Sequence, residues 1–419
     1  MRARDRWGQA LIVVALLAEA SPKASSRSAD TIESPRLASV ATELRAGSST
    51  ALDAFWRESE GRTPLVEAIP GDDSLRRVTF LYRGGDDLAG IILIGPLPPE
   101  IRQKPLTRLP GSDIWFLTTQ LPRGARFAYA FARSGRKLHD PLNPRPLTLD
   151  SESIAEMDDA PPQPWIAPKP DVPHGDVRQV QVADTRMKAG RTVTVYTPAR
   201  GTDVSRQTLL ILFDAADYLN RVPLPTLLDN LIAAGRVEPI VAVLVHNESQ
   251  AGRTRDLSCS DDFAAFLAVD LVPWARRTFG LPTDPHRTII GGSSLGGVAA
   301  ACAALRFPDV FGNVLSQSGA FWYYRGWPGA ARNPGDDGFV SQQYRSSPKV
   351  PVRFYLEAGL FETDSGESIL LETRTLKQVL TEKGYELTYS EFAGGHDFVA
   401  WRGSLGDGLV ALAGRAVRH

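Results

Sequence analysis

A serine with a glycine two residues to either side stands at Gly292-Ser293-Ser294-Leu295-Gly296. Upstream, Arg287-Thr288-Ile289-Ile290 reads as a short buried strand; downstream, Gly297 to Leu305, mostly alanine, reads as a helix. A strand, a sharp turn and a helix are what a nucleophile elbow requires, because the turn strains the serine backbone and lifts the hydroxyl above the sheet. The flanking glycines let strand and helix pass without side-chain clash. Ser294 holds the central position and is the expected nucleophile, with Ser293 the neighbouring hydroxyl.

Such a serine needs a base, which in the chain order Ser, acid, His lies downstream. Only His396 and the chain-terminal His419 follow Ser294, and a terminal residue is poorly positioned for the task. His396 lies in Phe392-Ala393-Gly394-Gly395-His396-Asp397-Phe398, after the strand-like segment Tyr385 to Ser390 and before an amphipathic helix. An acid to orient the imidazole is expected after the strand Val352 to Glu357. Glu362, three residues past Gly359, is the first choice; Asp364 is second, and Glu357 third because it falls within the strand. Two backbone N–H groups must meet the developing oxyanion. Leu295 is expected to give one, and Ala215 or Ala216, after the strand Leu209 to Phe213, the other.

The elements that position these residues divide near residue 170. Before it, short period-two runs alternate with turns, as at Arg77 to Tyr82, Gly90 to Ile94, Ile114 to Leu117 and Arg126 to Phe131. This pattern predicts a small β-sandwich over residues 39–160, with a helix and loop leading in over 38–70. A proline-dense stretch, 161–173, reads as a stiff linker. From 174 to 419 strands alternate with amphipathic helices, as at Asp261 to Phe279 and Glu367 to Lys383, which predicts a mostly parallel sheet covered on both faces. The expected fold class is therefore α/β, an α/β-hydrolase with an N-terminal all-β immunoglobulin-like sandwich.

At 419 residues the chain is long enough for two such units. Its net charge of −1 argues against a nucleic-acid partner, and no stretch after the N-terminus is apolar enough to span a membrane. Arg2, Arg4 and Arg6, the apolar run Ala10 to Ala18 and the Ala18-Glu19-Ala20 cleavage site predict an export signal over residues 1–20. A disordered leader is expected over 21–38. The two cysteines, Cys259 and Cys302, do not make a zinc site of usual spacing. A disulfide and a buried apolar Cys302 both fit, the second slightly better.

Several segments together resemble the enterochelin (enterobactin) esterase family. They are Gly291 to Gly297, Arg306-Phe307-Pro308-Asp309-Val310-Phe311-Gly312, Leu315 to Trp322, Gly394-Gly395-His396-Asp397-Phe398 with Trp401-Arg402-Gly403, and Asp140-Pro141-Leu142-Asn143-Pro144. Arg253-Thr254-Arg255-Asp256-Leu257-Ser258-Cys259 is similar to the family's R-x-x-E-L-x-C segment, with Asp256 where Glu is usual. The resemblance covers about residues 50 to 419. It implies hydrolysis of ester bonds in a catecholate siderophore's trilactone, with Ser294 and His396 catalytic and no cofactor. Family members of this layout act in the cytosol on imported ferric siderophore, whereas an export signal places this chain in the periplasm or outside. Feruloyl or other aryl esters, acyl transfer to an alcohol, and a carbohydrate-binding role for the sandwich are the alternatives. Near the expected site, Trp322, Tyr323, Tyr324 and Trp401 offer aromatic surface, and Arg253, Arg255 and Arg402 offer charge for catecholate or carboxylate.

Overall fold

The structure, a computed structural model, describes residues 32–185, 189–199, 206–323, 338–364 and 368–414. The export signal expected at 1–20 and Tyr324 lie outside the described residues. Among these described residues sixteen strands, numbered in chain order, form three sheets. The first eight are β1 (Leu65–Ile69), β2 (Asp72–Arg83), β3 (Ile92–Ile94), β4 (Thr107–Arg108), β5 (Ile114–Pro122), β6 (Arg126–Arg133), β7 (Arg136–Leu138) and β8 (Ser153–Glu156). They pair antiparallel as β1-β2-β5-β4 and as β3-β6-β7, with β8 on the first half of β6. Alternation on β6 sends Phe127, Tyr129 and Phe131 into a core with Val78 and Phe80. Its Ala128 instead meets Ile154 and Val399, so the small side chain lets the C-terminal half approach closely.

Among the described residues two helices precede these strands, Pro35–Arg45 and Ala51–Ser59, where a single helix and loop are expected. The first corrects the expected leader over 21–38, because residues 35–38 are its opening turn. Ser34 Oγ accepts the Leu37 N–H, Pro35 occupies the first helical turn, and Leu37 is fully buried beside Phe55, Trp56 and Leu81.

The other eight strands are β9 (Asp176–Asp184), β10 (Ala189–Thr197), β11 (Thr208–Leu212), β12 (Ile240–Val245), β13 (Thr288–Ser293), β14 (Asn313–Gln317), β15 (Arg353–Gly359) and β16 (Leu387–Phe392). They form one sheet in the order β16-β15-β14-β13-β11-β12-β10-β9, parallel from β16 to β12 and closed by the antiparallel pair β10 and β9. Leu209, Ile211 and Ile290 face one core, and Leu210, Leu212 and Ile289 the other. Continuous apolar runs are what a sheet buried on both faces demands. Between the halves, residues 161–173 are pinned to the C-terminal half. Trp165 packs on its second core, Asn230 Nδ2 bonds the Trp165 and Ala167 carbonyls, and Gln163 Nε2 bonds the Val399 carbonyl.

Cys259 and Cys302 form a disulfide, contrary to the slight preference for a free buried Cys302. The helices Gln250–Leu257 and Leu295–Arg306 lie against each other, which brings the two Cα atoms to 5.5 Å. Among the described residues no helix is long and apolar enough to cross a membrane.

Candidate active site

At the C-terminal edge of the large sheet, the segments after β11, β13, β15 and β16 meet around a cavity of about 1280 Å³. A crevice at this edge is where open α/β sheets place their chemistry. Ser294 sits between β13 and the helix Leu295–Arg306 with φ 57° and ψ −120°. Its N–H donates to the Gln317 carbonyl, and its own carbonyl accepts from Ala320. A Cβ on Gly292 would lie 2.9 Å from the Gly296 Cα, and one on Gly297 would lie 2.2 Å from Ser316 Oγ. Both positions need glycine for the strand and helix to cross this closely.

Ser294, His396 and Glu362 all line the cavity. His396 Nδ1 is 2.7 Å from Glu362 Oε1, and the Glu362 carboxylate is almost fully buried. An ionised carboxylate only accepts, so Nδ1 carries the hydrogen and Nε2 is left as the basic nitrogen. Glu362 Oε2 accepts the Gly359 N–H at 2.7 Å, which fixes the carboxylate in its loop. The other two acids weighed from sequence are engaged elsewhere. Asp364 takes both oxygens to Arg102 Nη1, at 3.0 and 2.9 Å. Glu357 lies behind the sheet edge, bonded by Gln317, Ser404 and Tyr355, and burial pushes its carboxyl up to about 7.

Leu295 and Ala215 each open a helix at this edge, Leu295–Arg306 and Ala215–Asn220. First-turn N–H groups have no acceptor within their helix. Ala216 is the next residue and is exposed, whereas Ala215 is buried. Asp214, just before them, adopts the left-handed conformation at φ 56°. Its carboxylate is gripped by Arg253 Nε and Nη2 at 2.6 and 2.7 Å, and also accepts from Asn247. Arg253 lines the cavity, as expected of a substrate contact, and at the same time holds the turn before Ala215.

The remaining expected substrate contacts separate in space. Arg255 does not line the cavity; it bonds Asp256, whose carboxylate also holds the buried Arg191. Trp401 does line it but is only 3% exposed. Its ring stands edge-on to His396 with centroids 4.7 Å apart, and its Nε1 donates to Ser318 Oγ. Its surface is thus used to brace the imidazole and is not left for an acyl group. Trp322 lines the cavity and packs edge-on against Tyr323. Arg402 also lines it, donating to Gln163 Oε1 at 2.8 Å, and burial lowers its pKa.

Sequence reasoning misses the share taken by the N-terminal half. Asp397 caps the helix Phe398–Ala413 through the Val399 N–H, while its other oxygen accepts the Ala128 N–H of β6 at 2.6 Å. Burial raises the pKa of this carboxyl, opposed by those two backbone donors. The β6 residue Arg126 donates its N–H to the Ala393 carbonyl, and Phe361 inserts into the Phe80–Phe127 core, edge-on to Phe127. An Asp immediately before a helix is a capping signal, which marks Asp397 in the sequence. Nothing in the sequence says that its second oxygen reaches β6.

Residues 185–412 match the Esterase family model ("Putative esterase"), and residues 77–137 match the model for "Enterochelin esterase, N-terminal". The chain belongs to the enterochelin esterase family. It is 30% identical to the iron(III) salmochelin esterase of Escherichia coli O6:H1, over 90% of this chain and 98% of that protein. It is 29% identical to the iron(III) enterobactin esterase of Dickeya dadantii, over 85% and 92%. Among solved structures, the ferric enterobactin esterase of Salmonella typhimurium superposes with a TM-score of 0.70 at 26% identity, covering 86% of this chain and 98% of that one. The enterobactin esterase of Shigella flexneri, crystallised in the presence of enterobactin, gives 0.68 at 26% identity, covering 86% and 97%. In this enterochelin esterase family member, the acid–histidine pair and the elbow serine share one cavity.

Proposed function

We propose that this protein is a serine esterase that hydrolyses the ester bonds of a catecholate siderophore of the enterobactin type through an acyl-enzyme. The observation that carries the reading is the strained Ser294 facing the same cavity as the His396–Glu362 pair, in a chain similar along most of its length to siderophore esterases. His396 Nε2 takes the proton of Ser294 Oγ as the oxygen attacks the ester carbonyl. The oxyanion is held by the N–H groups of Leu295 and Ala215, both fixed before substrate arrives. His396 then gives its proton to the departing alcohol, and next activates a water that frees the acid. Glu362 keeps the imidazole in the required tautomer and balances its charge while it is protonated. Trp322 and Arg402 are the cavity residues offered to the aromatic amide and hydroxyl groups of the substrate.

The finer reading of the fold belongs to the same proposal. The N-terminal strands form an immunoglobulin-like sandwich over residues 39–160 that completes the acid and histidine loops, and the protein works after export, in the periplasm or outside the cell. The test is hydrolysis of a catecholate trilactone beside a feruloyl ester, by wild type and Ser294→Ala. Trilactone cleavage that disappears in the variant is the expected result. Feruloyl turnover with the trilactone untouched overturns the substrate, and activity that survives Ser294→Ala overturns the nucleophile.

A further inference from the structure

In the large sheet, Leu315 of β14 and Tyr355 of β15 face each other and belong to the second core. Two residues further along, the next row on the same face is polar. Ser293, Gln317 and Glu357 stand opposite one another on β13, β14 and β15, and all three are buried. Central strands of a parallel sheet ordinarily read as continuous apolar runs. A buried amide in such a place costs free energy unless its hydrogen bonds are made.

Gln317 makes them, and they run to three parts of the site. Its backbone carbonyl accepts the Ser294 N–H at 3.0 Å. Its Oε1 accepts the Tyr218 hydroxyl at 3.0 Å, and Tyr218 lies on the helix Ala215–Asn220 whose first residue is the expected oxyanion donor. Its Nε2 faces the Trp401 carbonyl and Glu357 Oε1, both at 3.0 Å, with Ser404 Oγ at 3.1 Å. Trp401 is the ring that stands edge-on to His396.

The amide has one workable orientation, because a flip would set its oxygen against the Trp401 carbonyl and the Glu357 carboxyl. Glu357 is itself held from two other sides, by Ser404 Oγ at 2.6 Å and the Tyr355 hydroxyl at 2.9 Å. Gln317 is not among the described residues that line the cavity, so it reaches the reaction only through these partners. We propose that Gln317 is a positioning residue that holds the nucleophile, the oxyanion helix and the base in one frame. This rests on the serine-esterase reading of the same site and is independent of which ester is cleaved.

The test is steady-state kinetics of the full-length protein on a catecholate trilactone and on a feruloyl ester. Gln317→Met and Tyr218→Phe are measured singly and together, with Ser294→Ala beside them. Gln317→Met keeps the backbone bond to Ser294 and removes the side-chain ties. It should lower kcat by about 10- to 100-fold on whichever ester the wild type cleaves, with KM changed by less than about threefold. Tyr218→Phe keeps the ring beside Phe398 and should lower kcat by about three- to tenfold in the wild type. In the Gln317→Met background it should cost nothing more, because the bond that it removes is already gone.

An amide that only stabilises the fold would lower the melting temperature and leave kcat per folded molecule unchanged, and that result overturns the inference. A rise in KM with kcat held overturns it too, as do losses in kcat that simply multiply in the double variant. If Gln317→Met does not fold, Tyr218→Phe alone decides, and an unchanged kcat overturns the inference. Activity that survives Ser294→Ala, or a wild type inert on both esters, overturns the esterase reading itself and is thereby told apart from a failure of the positioning argument.

Discussion

Ser294 is fixed by its neighbours in sequence. β13, the glycines at 292 and 297 and the helix that follows set its backbone at φ 57°, and the disulfide ties that helix to the one carrying Arg253. His396 and Glu362 are held across the molecule. Their loops are fastened to β6 through Ala128 and Arg126, and to the N-terminal core through Phe361. The first arrangement is a local motif that works wherever a parallel sheet is built. The second exists only when two separately cored halves have docked. A site made this way is expected to fail in two distinguishable manners, by loss of a reacting group or by loss of the seam.

The reacting groups give the largest effects. Ser294→Ala should lower kcat by about 10⁴- to 10⁶-fold with the melting temperature held, as steady-state kinetics and circular dichroism would show. A normal rate in that variant would break the comparison at its nucleophile end. Glu362→Gln keeps the shape but no longer demands the Nδ1–H tautomer, and a loss of about 10³- to 10⁴-fold in kcat is expected. A loss below tenfold would move the acid elsewhere.

The seam should cost less. Asp397→Ala removes both the helix cap and the link to β6, leaving every reacting group in place. Misplacement of the imidazole by about an ångström predicts a fall in kcat of about 10- to 100-fold, with KM little changed. Unchanged kcat would mean that docking to β6 is not what positions His396. On the nucleophile side, Cys302→Ala opens a cross-link spanning 43 residues and should lower stability by about 2–4 kcal/mol, read by urea titration. A larger loss of activity than of stability would show that the nucleophile side also depends on long-range fastening.

The last effect is on stability and concerns pH. Glu357 is fully buried with its carboxyl raised to about 7, through burial. The folded state therefore binds its proton more tightly than the unfolded chain does, and stability falls as pH rises from the ordinary glutamate range to about 7. Above that the contribution is flat. Across the window the loss amounts to about 3 kcal/mol, and Glu357→Gln should flatten the wild-type slope. An identical slope in the variant would assign the pH dependence to another group.

The two regions also differ in how far they can be read from sequence. The elbow is legible because its chemistry needs glycines at fixed offsets, and offsets are what a sequence displays. Glu362 stands out by its place after Gly359, and it is the acid that touches His396 in the structure. The roles of Arg253 and Trp401 are not legible in this way. An arginine beside Asp214 and an arginine facing a substrate have the same letter, and only the fold shows that Arg253 is already paired. Trp401 reads equally well as a stacking platform until its edge is found on His396. The start of the first helix is misjudged because Ile32 and Leu37 are the only strong apolar residues in the polar stretch 21–38, and the burial of Leu37 depends on Phe55 and Trp56 arriving from the next helix. Pairing of Cys259 with Cys302 likewise depends on how two helices cross.

Phe361 is the last ring to join the core around Phe80 and Phe127, and it comes more than two hundred residues later in the chain. Synthesis runs from the N-terminus, so the first eight strands leave the ribosome with an apolar notch open between them. The notch stays open until about three quarters of the catalytic half has been translated. During that interval it is a natural foothold for a holdase chaperone, and in a truncated product it never closes. Fragments ending before residue 361 should aggregate. An enzyme that has begun to turn over substrate has, by that fact, finished assembling both of its halves.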